Sequence, residues 1–94
     1  MMEAWKKYKD FVRLRKGKDQ PINEFIAVFE SLYFKAKQSG SDFSDIVLAF
    51  NLLEACRLSE TDEKFVLTAV DFKKGKEDKN MLEQVKGSLR KFQE

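Results

Sequence analysis

The chain of 94 residues is predicted to be an all-α protein. Apolar residues recur at three- and four-residue spacing in every segment, and no segment shows the alternation of a half-buried strand. Hydrophobic residues make up 43% of the chain and include nine phenylalanines, which supply a core, whereas the 36% of charged residues supply a solvated exterior. A domain of this length buries roughly 60–65% of its unfolded surface. We therefore expect one compact domain of four to five helices spanning residues 1–94.

The first two helices are expected on either side of a glycine turn. The first covers about residues 2–14 and ends at Lys16-Gly17, because its apolar residues trace one stripe: Met1, Ala4, Trp5, Tyr8, Phe11 and Val12. The second runs from about Pro21 to Gln38, with apolar residues at Ile22, Phe25, Ile26, Phe29, Leu32, Tyr33 and Ala36. Gly40 suits the left-handed residue that follows a helix end. We expect Trp5 to fill the core rather than to anchor a partner.

Three further helices complete the prediction. The third reaches Arg57 and begins at one of three capping residues: Ser41, Asp42 or Ser44. Ser59 then caps a short helix that carries the apolar residues of segment 65–70. Residues 73–76, Lys-Lys-Gly-Lys, are expected to interrupt the helical pattern. The last helix is expected to start near Asp78 and to align Leu82, Val85, Leu89 and Phe92.

Residues 16–29 form the most distinctive pattern in the chain. Gly17 can take a backbone conformation closed to other residues, and Pro21 is expected to open the next helix where its missing N–H costs nothing. Phe25 and Phe29 then fall on one helix face. This order resembles the major homology region of Gag capsid proteins in retroviruses and long-terminal-repeat retrotransposons. Gly17, Phe25 and Phe29 match that motif, with Pro21 and Ile22 between them.

The chain departs from that motif at polar positions. Lys16 replaces the glutamine before the glycine, Gln20 replaces the glutamate, and Val28 replaces the arginine. The family's buried polar network is therefore expected to be rewired or absent here. The order of helices after the motif is also similar to a capsid C-terminal domain, over about residues 15–92. The resemblance implies a leading helix at 1–14, followed by the homology turn and a helical core at 15–94, in a retrovirus-like or domesticated Gag protein.

The third helix is predicted to be apolar nearly all round. Between residues 46 and 56 only Asn51 and Glu54 are polar. A helical wheel puts Ile46, Ala49, Phe50 and Leu53 on one side and Leu48, Leu52 and Ala55 on the other. Such a helix lies at the centre of its domain or is shared with another chain. The resemblance implies that it meets a second copy, through Val47, Leu48, Asn51, Leu52 and Ala55. The alternative is that the first helix covers this side.

Charge is unevenly distributed along the chain, although the net charge is only +2. Residues 1–18 contain seven basic and two acidic residues, whereas residues 19–63 contain three basic and nine acidic ones. Such separation favours contacts between unlike regions of neighbouring copies, with ordinary solvated helix faces as the alternative. Related capsids hold a small polyanion with lysines beside the homology turn. The resemblance therefore implies a polyanion contact at Lys16 and Lys18.

Residue types needed for catalysis are missing. The chain has no histidine and a single cysteine, Cys56, in an apolar helical run where a buried structural thiol is expected. We predict no enzyme activity, no cofactor and no metal. The cysteines and histidine of a zinc knuckle are absent too, so direct sequence-specific nucleic-acid binding is not expected. Without an apolar run of roughly 18 residues or a signal-peptide core, we expect no membrane association and a cytoplasmic location in a capsid or virus-like particle.

These observations predict a structural protein that acts by self-association. Its third helix would form a homodimer, and this contact would contribute to the assembly of a Gag-type capsid shell. Two alternatives stay open. One is a dimerisation module of a transcription regulator similar to the SCAN domains, which exchange a segment between protomers. The other is a monomeric adaptor derived from a Gag protein that binds peptides in a groove.

Overall fold

The computed structural model describes residues 1–93, and this part of the chain contains α-helices and no strand. The all-α prediction is confirmed, but the helix count of four to five is too low. The six helices are α1 (Met2–Val12), α2 (Ile22–Gln38), α3 (Asp45–Ala55), α4 (Glu60–Thr68), α5 (Phe72–Asp78) and α6 (Met81–Phe92).

Helix α5 is the one that the sequence analysis missed. The lysine-rich segment 73–76 was expected to interrupt the helical pattern, yet it lies inside α5. The Asp71 carboxylate begins the helix by accepting a hydrogen bond from the Lys74 N–H at 3.0 Å. Lys79 ends it with a left-handed backbone, φ 54°, so α6 starts afresh at Met81. The break therefore falls at Lys79, after the segment that was expected to cause it.

Side-chain caps set the starts of α3 and α4 as the sequence predicts. Ser44 accepts a hydrogen bond from the Val47 N–H at 3.4 Å, and Ser59 accepts one from the Asp62 N–H at 3.2 Å. Each cap satisfies a backbone donor that the first helical turn leaves free.

The core lies where α3 packs on α6 and α1 packs on α2, with α4 and α5 lying against α6. Buried apolar residues from every helix except α5 contribute, and the largest fully buried side chains are Phe25, Ile26, Phe29, Leu52, Val66, Met81, Val85 and Leu89. Gly75 is the buried residue of α5, and it lies directly against Met81.

Helix α1 is held to α2 by aromatic rings. The Phe11 ring lies 4.9 Å from that of Phe29, 5.3 Å from Tyr33 and 5.6 Å from Phe43. Trp5 stacks on Tyr8 at 5.7 Å but stays 50% exposed, so the expectation that it fills the core is wrong. Its ring contacts Tyr8 and Lys9 of its own helix, and Tyr8 in turn contacts Phe43.

One lysine is buried between α2 and α6. The Lys86 ammonium donates hydrogen bonds to Glu30 at 3.0 Å and to Glu83 at 2.9 Å. Burial works to lower the pKa of Lys86, but the hydrogen bonds to Glu83 and Glu30 raise that pKa above its ordinary value. The carboxylates of Glu30 and Glu83 both remain partly exposed to water. Lys86 on α6 therefore links to α2 through its ion pair with Glu30, in which only the lysine is buried.

Candidate functional site

The turn before α2 is closed by one side chain. The Gly17 N–H donates a hydrogen bond to the Gln20 side-chain oxygen at 3.0 Å, and the Gln20 N–H donates to the Gly17 carbonyl at 3.2 Å. Gln20 therefore closes this turn through one side-chain and one backbone hydrogen bond. Positive φ among the glycines is found at Gly40, at 106°, and not at Gly17. Gly17 does not adopt the left-handed conformation that glycine allows, and the two Gln20 bonds close the turn without it.

The two phenylalanines of segment 16–29 face inward, as their spacing predicts. Pro21 precedes the first residue of α2, and Phe25 and Phe29 are both buried in the core. The backbone N–H of Lys16 donates to the Ala55 carbonyl at 2.8 Å and so fixes the turn against the end of α3. The homology-like segment therefore positions α3 through both its rings and its backbone.

Three of the five predicted dimer residues are buried within the chain. Leu48, Leu52 and Ala55 lie in the core, so the surface assigned to them is not free and that assignment is wrong. Helix α6 is the main packing partner of α3. The helix expected to cover it as an alternative, the first one, packs mainly on α2. Val47 and Asn51 remain at the surface of α3.

The exposed side of α3 carries three apolar residues, of which only Val47 had been assigned to the dimer contact. Ile46 is 38% exposed, Val47 42% and Phe50 46%. They are neighbours at three- and four-residue spacing, and we call them the α3 face. Glu54 continues this face by one turn and pairs with Arg15 at 3.4 Å. The α3 face is thus an apolar stripe with a charged pair at one end.

A basic cavity lies beside the turn. Its volume is about 520 Å³, and its lining includes Lys16, Lys18 and Arg57 together with Asp62. Arg57 follows α3 with φ 57°, a backbone conformation that is costly for a residue other than glycine. The structure thus brings together both lysines of the predicted polyanion contact. It adds Arg57, which no sequence motif marked. We call this the turn cavity.

The thiol next to the turn cavity is protonated at neutral pH. Cys56 is buried, and burial raises its pKa to about 11 against the opposing charge of Lys16. A thiolate is the reactive form of cysteine, so this side chain is a structural thiol, as the sequence predicts. Within residues 1–93, no group of three or more His, Cys, Asp or Glu side chains is arranged to hold a metal ion.

A second apolar surface lies between α4 and α6. It is a groove of about 390 Å³ lined by Phe65, Thr68, Ala69, Ser88, Lys91 and Phe92. The Phe65 and Phe92 rings lie 5.4 Å apart, and Phe65 is 65% exposed. We call it the α4–α6 groove. Its residues come from α4, from Ala69 just after it and from α6, so no local sequence pattern predicted the groove.

Comparisons with known proteins gave no match: no family model, no curated protein and no solved structure corresponds to this chain. The likeness to Gag capsid domains therefore stays a prediction that depends on residues 16–29 and on helix order. None of the helices in the described part of the chain is long and apolar enough to span a lipid bilayer.

Proposed function

We propose that this chain is a self-association domain, similar to a Gag capsid C-terminal domain, in which the α3 faces of two copies pack together. The observation that carries the proposal is the exposure of Ile46, Val47 and Phe50 side by side on one helix. Isolated exposed apolar residues are ordinary on protein surfaces, but a contiguous set on a central helix marks an interaction site.

If two copies are related by a twofold axis at the α3 face, the α3 face of each copy contacts that of the other. In such a contact the same patch pairs with itself, so Phe50 and Val47 of one copy would meet those of the other. The three side chains form a small patch compared with the roughly 800 Å² of surface that each partner buries in a stable complex. The isolated dimer is therefore weak. Assembly into a shell would add further contacts, and many weak contacts close a large structure cooperatively.

The proposal is tested by the mass of the chain as a function of concentration. Sedimentation equilibrium between micromolar and millimolar concentration should show reversible dimerisation of the wild type. Phe50→Asp places a charge at the centre of the proposed contact and should raise the dissociation constant at least about tenfold, since hot-spot residues contribute about 2 kcal/mol or more. The matched control is Phe34→Asp on α2, where the ring is 61% exposed and belongs to neither proposed surface.

Three outcomes separate this proposal from its rivals. A wild type that stays monomeric up to millimolar concentration contradicts it and favours the peptide-binding adaptor. Equal weakening by Phe34→Asp and Phe50→Asp would show a general loss of solubility or fold instead of a defined interface. A dimer that resists Phe50→Asp and exchanges only after unfolding would indicate swapped helices, as in the SCAN-like regulator.

The turn cavity supports a second candidate function, the binding of a small polyanion. Lys16, Lys18 and Arg57 line one cavity, although Asp62 reduces its positive charge. We expect inorganic tripolyphosphate to bind with an affinity that falls steeply with salt, because binding to lysine and arginine releases counterions in the manner known for phosphate backbones. Calorimetry at low salt should show binding that Lys18→Gln weakens and Lys73→Gln on α5 does not. Equal binding by both variants would show a non-specific charge effect.

A further inference from the structure

The outer side of α6 continues the α4–α6 groove along the helix. The groove, of about 390 Å³, opens beside a cavity of about 180 Å³, and the two share the lining residues Ala69, Ser88 and Lys91. The smaller cavity is also lined by Glu83, Gln84 and Gly87. We call the side of α6 that carries Glu83, Gly87 and Lys91 the α6 face. It forms one surface with the groove.

The middle of the α6 face is open. A Cβ added to Gly87 would meet nothing within 4 Å, so no other part of the described chain uses the space above this glycine. Its neighbour across the cavity, Ala69, is also small. Glycine lets another backbone approach closely. A second helix can therefore lie close to α6 at Gly87.

The charges of the α6 face are arranged symmetrically about this glycine. Glu83 lies one turn before Gly87 and Lys91 one turn after it, so all three share one side of the helix. Glu83 accepts a hydrogen bond from Lys86 at 2.9 Å, yet its side chain is 70% exposed. Lys91 is exposed and has no ion pair within residues 1–93. Reversing the helix exchanges acid and base, so the face is complementary to an antiparallel copy of itself.

We propose that the α6 faces of two copies pack antiparallel across a twofold axis near Gly87. Each Lys91 then meets the partner's Glu83, and the contact contains this ion pair twice. A parallel arrangement would bring like charges together, so the charges select the antiparallel one. Phe65, which is 65% exposed beside the α6 face, would lie over the partner's small cavity at Ala69.

This contact shares no residue with the α3 face, so the two contacts succeed or fail independently. Each is a twofold contact in which a patch pairs with itself. A copy that makes both is therefore joined to two others, and the two contacts alternate along a growing assembly.

The test starts from the full chain carrying Phe50→Asp, which removes the proposed α3 contact and leaves the α6 face unchanged. By sedimentation equilibrium up to millimolar concentration, this chain should still form dimers. The dimers should weaken as salt is added, because exposed ion pairs are screened. A Phe50→Asp chain that stays monomeric overturns the α6 proposal. If it associates as strongly as the wild type, the α3 proposal fails and the α6 contact is supported.

Gly87→Gln blocks the close approach of the two helices without changing any charge. The space at Gly87 is open in a single copy and glutamine is the better helix former, so the folded chain should be at least as stable. Added to Phe50→Asp, it should raise the dimer dissociation constant at least about tenfold. Ser31→Gln, at an exposed position of α2, is the matched control and should have no effect. Unchanged association in Gly87→Gln overturns the proposal.

Charge reversal identifies the partner of each charge. In the Phe50→Asp chain, Lys91→Glu opposes acid to acid and Glu83→Lys opposes base to base. Each should therefore raise the dissociation constant at least about tenfold by itself. An equimolar mixture should recover 1:1 dimers, because residues 83 and 91 of one chain then oppose opposite charges on the other. A mixture that stays monomeric overturns the proposal.

The control for net charge is a second pair of reversals on α2. Lys37→Glu and Glu24→Lys are at exposed positions and change the net charge by the same amounts. Neither should weaken the dimer. If mixing these two chains strengthens association as much as mixing the α6 variants does, the attraction is one of net charge and the proposal is overturned. Circular dichroism checks that every variant is helical; with Glu83 replaced, Lys86 keeps its ion pair with Glu30.

Discussion

Two glycines that look alike in the sequence have different surroundings. Gly75 and Gly87 both lie inside helices, where glycine is usually destabilising relative to alanine. A methyl group on Gly75 would overlap the Met81 side chain, which is buried and packed, and would approach the Gln84 amide nitrogen at 3.0 Å. A methyl group on Gly87 would meet nothing within 4 Å. Helix propensity, which can be read from the sequence, therefore predicts the effect of an alanine substitution at Gly87 but not at Gly75.

We predict opposite effects for the two alanine substitutions. Gly87→Ala should raise the free energy of unfolding by about 0.5–1 kcal/mol, because it reduces the freedom of the unfolded chain. Gly75→Ala reduces the freedom of the unfolded chain in the same way, but its methyl group overpacks the contact between α5 and α6. Overpacking costs about 1–3 kcal/mol, so this substitution should be destabilising. Urea unfolding of both variants beside the wild type measures the two signs. A stabilised Gly75→Ala would contradict the packing described for Met81.

The start of α6 depends on a residue of another helix. Asn80 precedes α6 but makes no side-chain cap. Instead the Asp45 carboxylate of α3 accepts hydrogen bonds from the N–H groups of Met81 at 2.6 Å and Leu82 at 3.4 Å. A negative charge at a helix N-terminus is also favoured by the helix dipole. One carboxylate thus both caps α6 and fixes its direction against α3.

Removing this cap should loosen α6 at its first turn. We predict that Asp45→Ala lowers the free energy of unfolding by about 1–2 kcal/mol, the usual cost of a lost cap, and that Asp45→Asn costs less because it keeps an acceptor. Amide hydrogen exchange should speed up most at Met81 and Leu82. Glu24→Ala, at the exposed first turn of α2, is the control. Equal stability of Asp45→Ala and Glu24→Ala would show that Asn80 or water can replace the carboxylate.

The sequence predicts which side of a helix is buried only where the apolar residues form a single stripe. Helix α2 has one apolar stripe, so Phe25 and Phe29 could be assigned to the core from spacing alone. Helix α3 is apolar on most sides, so its pattern carried no information on which side faces α6. Leu52 was therefore assigned to the dimer contact although it is buried, whereas Phe50, which received no such assignment, is exposed. The start of α6 was expected near Asp78 but lies at Met81. Local sequence could not show this, because the capping residue, Asp45, is 36 residues away from Met81.

The shape of the molecule explains why apolar faces remain exposed. The chain measures 39 × 34 × 20 Å, and its shortest dimension equals about two helix diameters. In a slab of two helix layers, every helix has an outer face, and a helix that is apolar nearly all round must expose part of it. The sequence could predict that α3 has excess apolar surface. It could not predict the α4–α6 groove or the turn cavity, whose residues meet only when distant segments fold together.

The central claim is that two copies of this chain meet at the α3 face. The most direct measurement is the amide NMR spectrum of the labelled chain in a dilution series. Our account predicts shifts that change reversibly with concentration at Ile46, Val47 and Phe50 and that Phe50→Asp abolishes there. Signals from these three residues that stay fixed up to millimolar concentration, while the chain remains folded, would contradict it.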